Sequence, residues 1–470
     1  MKRRIGNNGL VRLPVLASAF FGLTICGCAI FSLGPVPLLA ETPPKAPSTI
    51  PAPDDRYKAD ILVIVAHPDD DTGISNYLAK AVLDEGKRAA VIFSTKGNSG
   101  GNTVGMEQGK TLSDVREMEG RRALAVLGIT NVWFLRGTDT PTQDVLHSLE
   151  TLGHGEALEE VVRLVRLTRP EVIITWLPAY VAGENHGDHQ ASGVVATEAY
   201  DMAGDPTAFP EQVSAPRAHA DISNYGEGLH TWQAKKLYYI SDASHPEFLQ
   251  HHGPTYLATG VSRARGVPIS TLNKSMWDAY ATQGDDDIDR YVKMPEYLVL
   301  AKSLAKSPLE ADVLDGIGLA PAAYDPTPGY RVSVRPPLSM ELGGPWAFYE
   351  QFYRAHALTS VAGLVKPQAA LGGDHSLWVP LLLHNDSAVS HDVALHATLP
   401  EGWTAGAQDV IYHLAPRSTY PVQLVLNTPT PLPAVKNVPP VELHWVLSDG
   451  GKEAGVVNLT VYLEYNGVPQ

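Results

Sequence analysis

At 470 residues the chain is too long for one ordinary hydrophobic core, so two or more domains are expected. A hydrophobic content of 44% and a charged content of 19% exclude the disordered and fibrous classes. The net charge is −15; the first forty residues carry four basic groups and no acidic one, which leaves −19 on the rest. Such a surface argues against nucleic acid and anionic lipid as partners and suits a neutral or cationic one.

Lys2, Arg3, Arg4 and Arg12 precede or begin an apolar stretch from Leu13 to Leu33, and Leu38-Leu39-Ala40 ends on a small residue. That order predicts an export signal over 1–40, and hence a periplasmic, extracellular or envelope-anchored protein. Two alternatives stay open for a membrane link. The run approaches spanning length, as in a retained anchor, and Ile25-Cys26-Gly27-Cys28 resembles a lipoprotein box with Cys28 lipidated. Residues 41–57 read as a Pro-rich linker. Both cysteines lie in the signal, so a metal in the mature protein must be held by His, Asp or Glu.

From Asp60 onward strands and helices alternate. Ile61 to Val65 is a continuous apolar run, the pattern of a strand buried on both faces. Asp71 or Thr72 is placed to cap a following helix, whose apolar positions Ile74, Tyr77, Leu78 and Val82 lead to a stop at Gly86. Ala89–Ser94 is a second strand, and a helix over about Ser113–Leu127 ends at Gly128. Val132–Leu135 is a third strand, Leu158, Val161, Val162 and Val165 mark a helix, Val172–Trp176 is a fourth strand and Lys236–Ile240 a fifth. This alternation predicts a Rossmann-like, mainly parallel sheet with helices on both faces, its ligand site beyond the carboxyl ends of the strands.

Residues 246–364 read as an extension of that domain, with 201–345 shaping a specificity pocket. A helix is expected over about Tyr297–Lys306, and Gly284 to Asp287 reads as a solvated loop. From 365 to 470 the texture changes: Leu377–Leu383, Val393–Leu399, Val422–Leu426, Val441–Leu447 and Val456–Leu463 are short strands between turns, predicting an all-β sandwich.

Chemistry concentrates in two segments. His67-Pro68-Asp69-Asp70 follows the first strand, and a sharp turn there aims His67 and Asp70 at one point. Asp69 then sits beside the metal, able to take a proton from a metal-acidified water. His186 and His189 follow the fourth strand, three residues apart. One completes the ligand set and the other stabilises an oxyanion; the spacing does not say which.

Ile61–Asp71 resembles the first motif, Ala-His-Pro-Asp-Asp-Glu, of the LmbE-like or PIG-L de-N-acetylases. His186-Gly187-Asp188-His189 resembles the second, His-x-Asp-His, and Arg116 to Glu119 with Leu127-Gly128 resembles an Arg-x-x-Glu helix ending in Leu-Gly. The resemblance covers residues 58–245. It implies that His67, Asp70 and His189 bind Zn2+, with Asp69 as general base. It also implies that His186 polarises the acetamide oxygen, Asp188 orients His186, and Arg116 positions substrate. For Arg116 and Glu119 the alternative is a surface ion pair. The family's Glu is Asp71 here, with a local capping role expected. The Gly97 to Gly101 loop is expected to form a mobile rim. The C-terminal region, with Leu399-Pro-Glu-Gly-Trp403, resembles NEW3-type Ig-like modules of secreted carbohydrate-active enzymes. The expected reaction is hydrolysis of an N-acetyl group from a GlcNAc-type sugar or glycoconjugate. The rivals are a zinc amidase on a non-sugar amide and a non-catalytic carbohydrate-binding protein. Oligomeric state has no sequence signal.

Overall fold

The computed structural model describes residues 52–463 apart from 183–184, 215–226, 244, 285–287, 325–334, 372–375, 407–409 and 429–438. The expected export signal, most of the linker and Asp285 to Asp287 lie outside the described residues.

Five strands, β1 (Ile61–Val65), β2 (Ala89–Phe93), β3 (Asn131–Phe134), β4 (Val172–Trp176) and β5 (Lys236–Ile240), run parallel in the order β3-β2-β1-β4-β5. The register pairs Ile61 with both Ala89 and Val172, so β1 lies at the centre. Side chains alternate between two cores. Leu62, Ile64, Ile92 and Ile173 point to one, and Ile61, Val63, Val65 and Val91 to the other. All five β1 residues are fully buried, which explains their unbroken apolar run.

Helices cover both faces. After β1 the chain makes a 3-10 turn at Asp70–Ile74, then α1 (Ser75–Leu78) and a π-type turn over Ala79–Asp84, stopping at Gly86, whose φ is 67°. α2 (Gly109–Val126) joins α1 on one side; α3 (Val145–Leu152), α4 (His154–Thr168) and α5 (Gly187–Met202) form the other, followed by α6 (Pro210–Val213). Neither expected cap forms. The Thr72 hydroxyl donates back to the Asp69 carbonyl, and Asp71 is fully buried, accepting the Tyr280 hydroxyl.

Beyond β5 the short β6 (Thr255–Tyr256) pairs with β7 (Glu296–Tyr297) around α7 (Ile269–Trp277) and α8 (Ile288–Tyr291). The helix expected over Tyr297–Lys306 is absent. That segment is β7 and β8 (Val299–Ser303), and β8 runs antiparallel along β5, pairing Val299 with Tyr239. Val299 and Ala301 turn inward from it, so covering the sheet edge overrides local helical spacing. The sheet is therefore mixed.

The C-terminal region is β-rich. β9 (Leu338–Leu342) is followed by α9 (Gly344–Ala355) and then β10 (Gln368–Leu371), β11 (Ser376–Asn385), β12 (His391–Thr398), β13 (Thr404–Ala405), β14 (Ile411–Leu414), β15 (Ser418–Asn427), β16 (Val441–Asp449) and β17 (Lys452–Leu463). One sheet has the order β10-β17-β16-β12-β14 and the other β13-β15-β11-β9. Val379, Leu381 and Leu424 from one share a core with Leu395, Trp445 and Leu459 from the other. β9 pairs with β11, so this region starts ahead of residue 365. α9 reaches back to the region of the parallel sheet. The Tyr349 hydroxyl donates to Gln190, and that of Tyr353 donates to the Pro178 carbonyl at 2.6 Å.

Candidate active site

Each loop at the carboxyl ends of the parallel strands delivers a polar side chain to one cavity of about 610 Å3. The turn after β1 supplies His67, Asp69 and Asp70, the loop after β3 supplies Asp139, β4 ends in Trp176, and Asp242 lies two residues past β5. α5 begins at Gly187, so His186 precedes its first turn while Asp188 and His189 lie within it.

The β1 turn is bent sharply. Asp69 has φ 115°, outside the regions a non-glycine residue ordinarily occupies, a strain of order 1–3 kcal/mol that tends to mark functional sites. The bend curls Asp70 back, so that one carboxylate oxygen accepts the backbone N–H groups of Ala66 and His67 and the indole N–H of Trp176, each at 2.8 Å. The other oxygen lies 3.2 Å from Nε2 of His189. Trp176 also stacks on His189, with centroids 4.4 Å apart and planes 13° apart.

The expected ligands His67, Asp70 and His189 thus converge. His67 Nδ1 is 3.7 Å from Asp70, and ring nitrogens of His67, His186 and His189 approach within 4.8 Å of one another. Two carboxylates that sequence reasoning missed stand behind the ligands. Asp139 lies 3.2 Å from Nε2 of His67, and Asp242 lies 2.9 Å from Nδ1 of His189. Their only sequence signal is position, just past the ends of β3 and β5, where parallel-sheet sites form.

Asp188 differs from expectation. Its carboxylate accepts the backbone N–H and the hydroxyl of Thr140 at 2.8 and 2.9 Å and lies 3.4 Å from Nε2 of His67, so its imidazole partner is His67 rather than His186. His186 instead packs beside His189 with ring centroids 4.2 Å apart, and its buried Nδ1 has no partner.

Arg116 and Glu119 do not form a surface ion pair. Both are buried. The Arg116 guanidinium donates to the carbonyls of Gly97 and Gly101 at 2.7 and 2.8 Å, to Gln283 and to Thr282. Glu119 accepts the N–H and hydroxyl of Thr282. Arg116 lines the cavity, yet each of its three side-chain nitrogens is hydrogen-bonded to protein. They pin the Gly97 to Gly101 loop, as does Asp139, which accepts the Ser99 N–H at 2.9 Å. The loop is a rim braced by these hydrogen bonds.

Electrostatics follow from this crowding. Burial opposes a charge on His67, but Asp70, Asp139 and Asp188 outweigh it and hold its pKa well above the usual range. For His189 burial is likewise overcome, by Asp70 and Asp242, and the pKa rises to about 10. Burial, reinforced by Asp70, pushes Asp69 well up. Burial and the flanking His189 and His67 bring His186 down to about 4. Two imidazoles ringed by four carboxylates form a donor set that suits a dication with nitrogen and oxygen ligands.

Residues 62–200 match the family model described as PIG-L, GlcNAc-PI de-N-acetylase. A 1D-myo-inositol 2-acetamido-2-deoxy-alpha-D-glucopyranoside deacetylase 2 from Frankia casuarinae is 31% identical over 186 residues, covering 36% of this chain and 57% of its own length. The corresponding deacetylase 1 of Catenulispora acidiphila is 26% identical over 189 residues, covering 37% and 58%. The chain therefore spans less than two thirds of the length of these relatives. Among solved structures, N,N'-diacetylchitobiose deacetylase from Pyrococcus horikoshii aligns at 17% identity over 52% of this chain and 85% of its own, with a TM-score of 0.38. A conserved protein from Thermus thermophilus aligns at 20% identity over 54% and 100%, with a TM-score of 0.36.

Proposed function

We propose that the chain, whose residues 62–200 match the PIG-L family model, hydrolyses the N-acetyl group of an N-acetylglucosamine-type sugar or glycoconjugate, with zinc bound at His67, Asp70 and His189. The observation that carries this reading is the convergence of those three side chains on the cavity beside Asp69, with Asp139 and Asp242 supporting the imidazoles.

Zinc at such a site supplies a Lewis acid and lowers the pKa of a bound water. The chain's own groups do the rest. Asp69, facing the cavity beside the ligands, takes the proton of the attacking water and returns it to the departing amine. His186 donates a ring N–H to the acetamide oxygen as negative charge builds there, a role its unpartnered nitrogen fits. Asp70 is fixed by Trp176 and two backbone N–H groups, so the ligand geometry is set before substrate arrives. Acetate and a free amine are the products.

Two expectations that lie beyond the site belong to the same reading. The N-terminal pattern of Lys2 to Ala40 supports export, with an envelope or extracellular glycan as substrate. The two C-terminal sheets, which share one core, support an Ig-like sandwich, and the five parallel strands with helices on both faces support a Rossmann-like catalytic layer before it.

The test is acetate release from N-acetylated mono- and disaccharides and glycolipids by the zinc-loaded protein, compared with N-acetylated peptides. Acetate from sugars is expected, with Asp69→Asn lowering kcat by ~100- to 10,000-fold while zinc content holds. Release from peptides alone would favour the amidase reading. Full turnover by Asp69→Asn would remove Asp69 as the base.

A further inference from the structure

One wall of the cavity is built by none of the segments that converge on the metal site and lies outside residues 62–200. Trp277, the last residue of α7, and Tyr291, the last of α8, stack with ring centroids 5.8 Å apart and planes 27° apart, and both line the cavity. Tyr291 leaves 47% of its surface exposed, so the aromatic pair is open to solvent on that side.

This wall is fastened to the catalytic turn. The Glu296 carboxylate accepts the backbone N–H groups of Asn76 and Tyr77 at 2.6 and 3.0 Å, and the Gln283 amide donates to the Pro68 carbonyl at 3.0 Å. The shelf is therefore held at a set distance from Asp69 and Asp70.

Volume and charge say what it would hold. A cavity of about 610 Å3 lies well inside the range that accommodates drug-sized ligands, more than an acetamide and its ring require. Asp70, Asp139 and Asp242 line it, while Arg116 is its one Lys or Arg among the described residues and is committed to the rim loop. A phosphate beside the acetylated sugar would meet carboxylates with no free guanidinium. An uncharged ring with an apolar face would meet aromatic surface.

We propose that Trp277 and Tyr291 form a subsite that stacks the ring adjoining the acetylated sugar, selecting uncharged glycosides of two or more rings over phosphate-bearing ones. The inference rests on the deacetylase reading for its substrate and deepens it by naming the residues that choose the neighbouring group.

The experiment measures kcat/KM for acetate release by the full chain, zinc-loaded, from N-acetylglucosamine, N,N'-diacetylchitobiose and N-acetylglucosamine 1-phosphate. The expected order places the disaccharide first and the phosphate last. In Trp277→Ala and in Tyr291→Ala the preference for disaccharide over monosaccharide should fall by roughly 10-fold, with partial return in Trp277→Phe. An unchanged preference in both alanine variants, or a preference for the phosphate, overturns the subsite. Calorimetric binding of the disaccharide separates the two readings. If no sugar is deacetylated but binding weakens by roughly 10-fold in Trp277→Ala, the subsite stands and the deacetylase reading falls. Binding that is absent, or equal in wild type and both alanine variants, overturns the subsite itself.

Discussion

Asp242 lies 2.9 Å from Nδ1 of His189, on the opposite edge of the ring from Asp70, which approaches Nε2 at 3.2 Å. A carboxylate behind a metal-ligating imidazole fixes the tautomer that leaves the other nitrogen free to bind, and raises its basicity. Replacing Asp242 by Ala should therefore weaken zinc binding by ~10- to 100-fold, read as zinc lost to a competing chelator. Retention equal to wild type would mean that Asp242 contributes nothing to holding His189.

Arg116 supports the rim rather than the substrate. Its guanidinium satisfies two loop carbonyls and two residues of the 282–283 turn at once. Lys has one ammonium and cannot reproduce that fork. Arg116→Lys should lower the unfolding free energy, read by urea denaturation, nearly as much as Arg116→Ala, by about 1–3 kcal/mol for the buried acceptors left unmet. A lysine variant as stable as wild type would return Arg116 to a simple charge role.

Glu296 gives a pH signature of its own. Burial, only partly opposed by the N–H groups of Asn76 and Tyr77, raises its pKa from 4.5 to about 8. Between those values the folded chain holds a proton there that the unfolded chain has released. Its contribution therefore favours folding less as pH rises through that window. Glu296→Gln should flatten this fall in urea midpoints taken between about pH 5 and about pH 8. An identical slope in the variant would show that Glu296 titrates normally.

How much of this was legible varied with the physics behind each element. The runs Ile61–Val65 and Val172–Trp176 could be read because both faces of a central parallel strand are buried, which leaves no polar alternation to confuse. The segment from Tyr297 to Ser303 could not, because what makes it a strand is the open edge of β5, a feature of the assembled sheet. His67 and Asp70 were marked by the sharp turn after the first strand, and His189 only by resemblance to the second family motif. Asp139 and Asp242 are lone acids in loops, and only the topology brings them to the imidazoles. Asp188 shows the limit of a motif. The resemblance implied His186 as its partner, yet the turn into α5 aims its carboxylate at His67 and Thr140.

Gly193 sets how closely α5 packs on β4. A Cβ there would stand 2.2 Å from the Trp176 carbonyl oxygen and 3.1 Å from the Pro178 nitrogen, both backbone atoms that cannot swing aside. The helix carrying His189 would have to move off the strand that ends in Trp176, the residue that bonds Asp70 and stacks on His189. Gly193→Ala should thus cost about 1–3 kcal/mol of stability and also weaken zinc binding. Gly155 on α4 is the control. A Cβ there meets nothing within 4 Å, so Gly155→Ala should be neutral or stabilising by up to ~1 kcal/mol through helix propensity. Urea denaturation and chelator competition on the two variants read both effects. A Gly193→Ala protein matching wild type in each would mean that α5 can shift without disturbing the site.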